Sequence, residues 1–350
     1  MGSINKIIEG DLIQIVKNDI DWKRFENKTV LIAGANGFLP AYMVETLLYL
    51  VQTNLVKTLN VIALVRNKEK AEKRFAPLLH SGHLQLVVQD VCVPLQIDVP
   101  VHFIVHAASQ ASPKYYGVDP VGTLNANVSG TINLCELARK NPVESFLYFS
   151  SGEVYGKTSE KIVSVTETDY GCLDPMNVRS CYGESKRMGE TIGVSYLHQY
   201  GVPMKVVRPA HTYGPGMDLN DGRVFADFVR DIVTNKDIVM NSNGSASRAF
   251  CYLTDATTAF FKILLQGTNG EAYNVANPNC EITIVELAEK LVALFPEKKL
   301  KVIRKENTET GYIASSNTRN NLSIEKIKSL NWIPSVSIEE GFYKTILSYA

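Results

Sequence analysis

Residues 30–40 read VLIAGANGFLP, and the helical pattern YMVETLLYLV follows at residues 42–51. An apolar run, a glycine-rich turn and a helix, in this order, form the first unit of a dinucleotide-binding fold, because glycines let backbone amides and the positive helix end approach a pyrophosphate. Pro40 replaces the usual third glycine near the helix start, where the fixed φ of proline is tolerated. The turn therefore predicts cofactor contacts from Gly34, Asn36, Gly37, Phe38 and Leu39.

Five further apolar runs follow the first strand, with helical stretches between them. They are LNVIALV at 59–65, LQLVVQD at 84–90, FIVHAAS at 103–109, FLYFSS at 146–151 and MKVVRPA at 204–210. Apolar, β-branched runs of this kind are typical of buried parallel strands. The pattern therefore predicts an α/β fold with a Rossmann-type, doubly wound parallel sheet.

Three parts are predicted along the chain. Residues 1–28 carry apolar side chains at roughly helical spacing and predict a helical extension, either a lid or a packing arm. Residues 29–212 hold the strand–helix series and predict the dinucleotide-binding domain. In residues 213–350, turn-rich segments separate short helices such as VFADFVRDIV and TIVELAEKLVALF. This change predicts mostly a smaller substrate-binding subdomain, with some segments returning to the main domain.

The composition argues against several classes of protein. Lysine plus arginine equals aspartate plus glutamate at 36 each, so no net charge attracts nucleic acid. No run of about eighteen apolar residues suits a membrane span, and the N-terminus lacks the pattern of a secretory signal. The six cysteines form no CxxC pair, which favours reduced thiols in the cytoplasm. The histidines are not spaced as metal ligands, so we expect no metal.

The ends of the predicted strands carry the other cofactor candidates. Arg66 follows the second strand, where NAD enzymes usually have an acid for the ribose hydroxyls. Its guanidinium could bind the 2′-phosphate of NADP or stack on the adenine. The alternative is an arginine that contacts only solvent. Asp90 closes the third strand and is placed to accept from the adenine amine. We expect NAD, and Arg66 leaves NADP open as the alternative. Further cofactor positions are Val91, Ala107, Ala108, Ser109 and Pro209.

Tyr182 and Lys186 are the residues of the sequence that indicate catalysis. They are four residues apart in YGESK, so they lie on one face of a helix. The ammonium group lowers the phenol pKa and can hold the nicotinamide ribose, and the tyrosinate can then take the proton of a sugar hydroxyl. Ser151 ends an upstream strand, where its hydroxyl can bind the same substrate oxygen. Together, the glycine-rich turn, the serine and the tyrosine–lysine pair predict oxidation of a hydroxyl group.

Much of the chain resembles the extended short-chain dehydrogenases/reductases of the sugar-nucleotide epimerase/dehydratase family, most closely the UDP-glucuronate decarboxylases. The segments that carry the resemblance are ASQASPKYYGVDPVGTL, SGEVYG, DPMNVRSCYGESKRMGET, GPGMDLNDGRVFADFV, GSASRAFCYLTDA and LNWIPSVSIEEG. The resemblance implies a nucleoside-diphosphate sugar substrate and a homodimer that pairs the helix after Asp119 with the helix around Tyr182. The catalytic roles it implies fall on Ser151, Tyr182 and Lys186, with a structural role for Asn127.

The resemblance leaves several reactions open, all of which begin with oxidation of the hexose C4 hydroxyl. A 4-epimerase needs no further acid or base and usually has a small residue in the place of Glu153. A 4,6-dehydratase needs an acid and a base, and Gly152 stands where the acid would be. A decarboxylase needs one carboxyl group, which Glu153 supplies, with cationic assistance from Arg248. We expect a decarboxylase; dehydratase, epimerase, simple 4-dehydrogenase and non-catalytic dinucleotide sensor remain as alternatives.

The substrate pocket departs from the family at two positions. His211 replaces the family's usual asparagine, and Gly216 stands where the decarboxylases have arginine. These departures raise the alternative of a substrate other than UDP-glucuronate. Arg223 and Arg248 match family positions around the nucleotide diphosphate, where forked donors suit phosphate oxygens. The substrate contacts predicted are Tyr116, Ser151, Glu153, His211, Arg223 and Arg248.

Overall fold

A computed structural model describes residues 5–159, 161–305 and 321–349 of the chain. Residues 1–4 of the predicted extension, and residues 306–320 and 350 of the predicted second part, therefore lie outside the described residues. The strands are β1 (Lys28–Ala33), β2 (Leu59–Val65), β3 (Leu84–Val88), β4 (Phe103–His106), β5 (Ser145–Phe149), β6 (Met204–Pro209), β7 (His211–Tyr213), β8 (Ile238–Met240), β9 (Ser247–Tyr252), β10 (Ala272–Val275), β11 (Glu281–Thr283) and β12 (Val302–Arg304). The helices are α1 (Lys6–Val16), α2 (Phe38–Gln52), α3 (Lys68–Phe75), α4 (Pro120–Arg139), α5 (Cys181–Tyr200), α6 (Val224–Val233), α7 (Leu253–Gln266), α8 (Ile284–Ala293), α9 (Glu325–Lys328) and α10 (Ile338–Leu347).

A seven-stranded parallel sheet forms the centre of the molecule. Its order is β10-β6-β5-β4-β1-β2-β3, and every pair of neighbouring strands is parallel. The chain starts in the middle at β1, winds outward to β3 and returns to the other side of β1 at β4. The predicted doubly wound sheet is confirmed. Its strand order reverses between β1 and β4, and in such sheets the crevice at this point binds ligands.

The central strands are apolar throughout because both faces of the sheet are covered. Val30 and Ile32 of β1 pack into the core with α2 and α7. Leu31 and Ala33, which point to the opposite face, pack into the core with α4. Successive side chains of a strand alternate between faces, so burial of both faces requires an unbroken apolar run. This is the physical reason why the strands were predictable from the sequence.

A second set of elements packs beside the carboxyl ends of the sheet strands. A three-stranded sheet in the order β11-β9-β7 and a strand pair β12-β8 share an apolar core with α6, α8 and α10. Tyr213 and Phe342 stack within this core, with ring centres 3.9 Å apart. Between these elements in sequence, α7 and β10 return to the central sheet. Among the described residues, no helix has the length and apolar character that crossing a membrane requires.

The N-terminal helix α1 packs on the body of the protein. It lies against α2 and α7, and it buries Leu12 and Ile15 completely. Asp11 of the same face is also fully buried, and its carboxylate accepts from the Tyr252 hydroxyl at 2.8 Å and the Tyr42 hydroxyl at 3.1 Å. Tyr42 belongs to α2 and Tyr252 to β9, so one carboxylate joins three separate elements. Burial raises the pKa of Asp11 from 3.8 to about 6, although Tyr252 and Lys344 oppose the shift.

The raised pKa of Asp11 predicts a pH dependence of stability. Because the folded state holds this proton more tightly than the unfolded state, the contribution of Asp11 to stability is present below its unfolded pKa and falls as pH rises through about 6. We expect the free energy of unfolding of wild type, minus that of Asp11→Asn, to fall by about 3 kcal/mol between about pH 3 and neutral pH. Urea unfolding at several pH values measures this difference. Glu9→Gln, an exposed acid on the same helix, is the control, and an equally large change there would contradict the assignment to Asp11.

Candidate active site

The turn between β1 and α2 forms a narrow cradle beside the end of β4. Gly34 has a φ of +77°, and a Cβ there would lie 2.7 Å from the Cα of Ala108. The Gly37 N–H donates to the Gly34 carbonyl at 2.8 Å, and no side chain in the described part of the chain caps α2. The first amides of this helix, at Phe38 and Leu39, are therefore available to an anion. This geometry fits the pyrophosphate of a dinucleotide.

The ends of β2 and β3 hold the two residues predicted for the adenosine end. The Asp90 carboxylate accepts from the Cys92 N–H at 2.8 Å, and the Arg66 guanidinium lies 3.7 Å from it. Although partial burial opposes the shift, the hydrogen bond from Cys92 and the charge of Arg66 hold the pKa of Asp90 below its ordinary value. The Val91 carbonyl next to it accepts from Asn133 Nδ2 at 2.9 Å, which fixes this loop on α4. A carboxylate is thus held where an adenine amine can donate to it.

The other predicted cofactor positions lie in the turn itself and at the carboxyl ends of β4 and β6, on the opposite side of β1 from β2 and β3. The Ala107 N–H donates to the β1 residue Ala33 at 3.0 Å, which places the small residues after β4 directly beside the cradle. Ser109 Oγ is buried and has no hydrogen-bond partner among the described residues. Asn36 lies half-buried in the turn, and Pro209 lies half-buried at the end of β6. Small or uncharged groups here leave the crevice open to a ligand.

Helix α5 lies close to β5 because its packed face is made of small residues. A Cβ on Gly189 would lie 2.1 Å from the Tyr148 hydroxyl. The close approach brings Lys186, on the same buried face, to the end of β5, where its Nζ donates to the Phe149 carbonyl at 2.6 Å. The docking of α5 thus decides where the predicted catalytic side chains point.

The predicted catalytic residues come together at this junction. Tyr182 and Lys186 lie one turn apart on the buried face of α5, with the Lys186 Nζ 5.7 Å from the centre of the Tyr182 ring. Ser151, just after β5, faces the phenol closely enough for hydrogen bonding to it to lower the pKa of Tyr182. The Ser151 hydroxyl also accepts from the Glu153 N–H at 3.2 Å, which starts the short turn that carries Glu153.

The electrostatics differ from the expectation that Lys186 lowers the pKa of Tyr182. Burial raises the pKa of Tyr182 above its ordinary value, and the cations that oppose this are Arg223 and Arg179. Burial also lowers the pKa of Lys186 to about 7, although Glu190 opposes the shift. At neutral pH the lysine is therefore only partly charged, because desolvation penalises its ammonium form. Arg223 is therefore the cation that most lowers the pKa of the phenol, whereas the charge of Arg179 is offset by Glu153.

Asn127 links α4 to the catalytic helix. Its Nδ2 donates to Ser185 Oγ at 2.9 Å, and Ser185 in turn donates to the Tyr182 carbonyl at 3.0 Å. Its Oδ1 is buried and has no partner within the part of the chain that the structure describes. A buried acceptor without a partner costs free energy, so such a group usually marks a site that another molecule completes. Together with the glycine cradle, this orphaned oxygen fits a bound dinucleotide.

Glu153 has a partner that the sequence did not predict. Arg179, in the short turn before α5, places its Nη2 3.0 Å from the Glu153 carboxylate. Its guanidinium also covers the Tyr116 ring at 4.7 Å, and Tyr116 stacks on Tyr182 with ring centres 5.1 Å apart. The cation beside Glu153 is therefore Arg179, a residue that the sequence analysis did not single out, and the assistance expected from Arg248 stays a prediction. Its only signal in the sequence is its position three residues before the catalytic tyrosine.

The remaining predicted substrate residues form a second group. The pKa of His211 is lowered to about 3 by burial and then by the charges of Arg248 and Arg223, so its imidazole is neutral and lies near both cations. His211 Nδ1 is buried without a hydrogen-bond partner among the described residues. Arg223 is fixed by Asp221, with the Nε to Oδ2 distance 3.1 Å. Arg248 donates from Nη1 to the Ser247 carbonyl at 2.7 Å. Two cations and a neutral imidazole together suit a ligand with several anionic oxygens.

Gly216, a departure from the family pattern, has a structural reason. Its φ is +82°, and a Cβ there would lie 2.3 Å from the Nη1 of Arg74. Arg74 of α3 pairs with the buried Glu45 of α2 at 2.9 Å, so it cannot move away cheaply. An arginine from the main domain thus occupies the space beside residue 216. Among the described residues, no cluster of histidine, cysteine and carboxylate side chains could hold a metal ion.

Comparison with curated proteins finds UDP-glucuronic acid decarboxylases among the relatives of this chain. It is 33% identical over 319 residues to UDP-glucuronic acid decarboxylase 3 of Arabidopsis thaliana, an alignment that covers 90% of this chain and 87% of the relative. It is 30% identical over 326 residues to UDP-glucuronic acid decarboxylase 1 of Xenopus tropicalis, with 92% of this chain and 72% of the relative covered.

Solved structures share the fold at lower identity. A dTDP-glucose 4,6-dehydratase from Bacillus anthracis in complex with NAD superposes with a TM-score of 0.73 at 23% identity, covering 92% of this chain and 96% of that chain. A UDP-glucuronic acid 4-epimerase from Bacillus cereus in complex with UDP-glucuronic acid and NAD gives 0.75 at 18% identity, covering 92% and 98%. The model of the NAD dependent epimerase/dehydratase family matches residues 30–276. With the glycine cradle, the serine and the tyrosine–lysine pair in place, the chain belongs to the NAD-dependent epimerase/dehydratase family.

Proposed function

We propose that this protein oxidises the C4 hydroxyl of a nucleoside-diphosphate hexuronate and releases the C6 carboxylate as carbon dioxide. The observation that carries this proposal is the Glu153–Arg179 pair beside Ser151, Tyr182 and Lys186. The identity of about a third to UDP-glucuronic acid decarboxylases supports it and favours UDP-glucuronate as the substrate.

The first step removes the hydrogen of C4 as a hydride and the proton of its hydroxyl group. NAD, held in the glycine cradle, would supply the acceptor for this hydride and the hydride that restores C4 at the end. Tyr182 takes the hydroxyl proton, and Ser151 binds the same oxygen, because both face one point at the end of β5. The hydrogen bond with Ser151 and the charge of Arg223 stabilise the tyrosinate that the step requires, since both lower the pKa of Tyr182 against the effect of burial.

The second step breaks the bond between C5 and C6. With a ketone at C4, the C6 carboxylate becomes a β-keto acid, so carbon dioxide leaves and the electron pair remains as an enolate over C5, C4 and the C4 oxygen. A cation near that oxygen stabilises the enolate, and a carboxyl group that exchanges protons with solvent can deliver one to C5. Glu153 and Arg179 supply these two groups in one hydrogen-bonded pair. Return of the hydride to C4 then yields a nucleoside-diphosphate pentose.

The dehydratase alternative needs a further acid that the site does not hold at the expected position. Loss of water across C5 and C6 requires protonation of the leaving hydroxyl, and residue 152 is a buried glycine. Decarboxylation has no such requirement. Gly152 therefore favours the decarboxylase over the 4,6-dehydratase.

We also propose that Arg223, Arg248 and His211 bind the nucleotide diphosphate of the substrate. Two guanidiniums can each present forked donors to phosphate oxygens, and the neutral imidazole can donate or accept one hydrogen bond. The elements after residue 213 that pack apart from the central sheet would then form the substrate-binding subdomain. In this arrangement the sugar reaches Tyr182 between the two parts of the chain.

A homodimer through α4 and α5 is part of the proposal. These helices pack on each other, and their outer faces carry apolar side chains that are partly exposed to solvent, with Val121 62% exposed. The other members of this face are Leu124, Ile132, Met188 and Val194. Burial of such a face by a second copy would remove it from water. All six cysteines are unpaired thiols. Unpaired thiols support the proposal that the protein functions in a reducing compartment such as the cytoplasm.

The decisive test supplies UDP-glucuronate to the purified protein with NAD present. We expect release of carbon dioxide and formation of a UDP-pentose, measured by gas trapping and by mass spectrometry of the nucleotide fraction. UDP-glucose, which has no carboxylate, is the matched control and yields neither product. A C4-inverted UDP-glucuronate without carbon dioxide would replace the proposal with a 4-epimerase. A 4-keto-6-deoxy product from a neutral hexose would replace it with a dehydratase.

A further inference from the structure

The adenosine end of the cofactor site carries a cation at the position where a dinucleotide fold usually has an acid. Arg66 follows β2 directly, and its side chain is 58% exposed. A carboxylate at this position binds the ribose hydroxyls and repels a 2′-phosphate, whereas an arginine accommodates the phosphate. The chain therefore lacks, at residue 66, the repulsion that would exclude NADP.

The contact that holds Arg66 is easily exchanged. Its guanidinium lies 3.7 Å from Asp90, and both side chains are about half exposed. Exposed ion pairs of this length contribute little free energy, and a phosphate that accepts two parallel hydrogen bonds from arginine is a stronger partner. Asp90 keeps its own hydrogen bond from the Cys92 N–H if the arginine turns away. The adenine-binding carboxylate therefore stays in place while the guanidinium changes partner.

Asp119 and helix α3 are the neighbours of Arg66 that bear on this exchange of partners. Asp119, at the start of α4, has its pKa lowered by hydrogen bonds from Gln110 and Gly122 and, to a smaller extent, by Arg66. Asp119 is therefore already satisfied locally and does not depend on Arg66. On the other side, α3 begins at Lys68, two residues after Arg66, and its cap Asn67 accepts from the Lys70 N–H.

We propose that Arg66 leaves Asp90 and binds the 2′-phosphate of NADP, so that this chain accepts NADP as well as NAD. Arg66 is then a specificity-determining residue of the cofactor site. The inference rests on the dinucleotide-binding half of the proposed function and not on the sugar chemistry. It also identifies a difference in this chain from members of the family that have an acid after β2.

The test measures binding of NAD⁺ and NADP⁺ to the full-length protein by calorimetry, with no sugar present. Protein is first freed of any nucleotide that copurifies with it, and release is checked by mass spectrometry. We expect wild type to bind both cofactors with dissociation constants within about tenfold of each other, because one charge-assisted pair offsets the added desolvation. Arg66→Ala should weaken NADP⁺ binding about 30-fold, the cost of losing such a pair, and NAD⁺ binding far less. Arg66→Asp should exclude NADP⁺ and retain NAD⁺.

Lys68→Ala is the matched control, because it removes the same charge two residues away. It pairs with Glu72 at 3.7 Å on the surface of α3. If Lys68→Ala weakened NADP⁺ binding as much as Arg66→Ala does, the effect would come from positive charge in general. That result would overturn the assignment to Arg66. Negligible NADP⁺ binding to wild type, or equal loss of both cofactors in Arg66→Ala, would also overturn it. Failure of the proposed decarboxylation leaves these binding constants unaffected, so the two proposals fail separately.

Discussion

Replacement of Tyr182 by phenylalanine is expected to lower kcat about 10³-fold, because the variant lacks the phenol that takes the C4 hydroxyl proton in the proposed reaction. The ring that remains still stacks on Tyr116, so the packing of the site is kept. Affinity for the cofactor and for the nucleotide sugar should therefore change little. Stopped-flow absorbance of the bound nicotinamide measures the oxidation step directly, and calorimetry measures the two affinities.

Tyr196→Phe is the control for the Tyr182 prediction. It makes the same chemical change on the same helix, where the Tyr196 hydroxyl donates to Glu136 at 2.8 Å away from the site. We expect nearly wild-type kcat for this control. A Tyr182→Phe enzyme that oxidises its substrate at close to the wild-type rate would remove Tyr182 from the mechanism and revive the non-catalytic alternative.

The central sheet was predictable because its physical requirements are local. Strands covered on both faces must be apolar at every position, and a turn that touches Ala108 at positive φ must use a glycine such as Gly34. The tyrosine–lysine pair was predictable for a similar reason, since helix geometry alone places residues four apart on one face. The structure brings these features to one crevice at the carboxyl ends of the strands.

The partners of charged groups were not predictable, because they depend on how elements dock. Arg179 lies in the turn that leads into α5. It reaches Glu153 because glycines on the packed face of α5 let this helix lie close to β5. Likewise, Gly216 has no side chain because Arg74 of α3, far away in sequence, occupies the space that a Cβ would need. The sequence therefore identified which residue types the chemistry needs, and it did not reveal that Arg179 pairs with Glu153.

Replacement of Arg179 by methionine is the second large effect that we expect. It should lower kcat about 10²-fold, because Glu153 loses the partner that orients it and the enolate loses its nearest cation. The Arg179 side chain is only 16% exposed and lies over Tyr116, and methionine can replace part of that apolar contact. The KM for UDP-glucuronate should rise less than kcat falls, since the diphosphate contacts are unchanged. Steady-state assays of carbon dioxide release measure both constants.

The matched control and the lysine variant decide between a chemical and a merely structural role for Arg179. Arg139→Met breaks an exposed pair of the same kind, with Glu136 at 2.7 Å, and should leave kcat unchanged. Arg179→Lys keeps the charge but loses the planar fork, so we expect partial recovery of kcat. If Arg179 and Glu153 act as one unit, then adding Glu153→Gln to Arg179→Met should cost far less than Glu153→Gln costs alone. Fully additive effects of the two substitutions would show that the pair does not act together, and decarboxylation would then need a different source of positive charge.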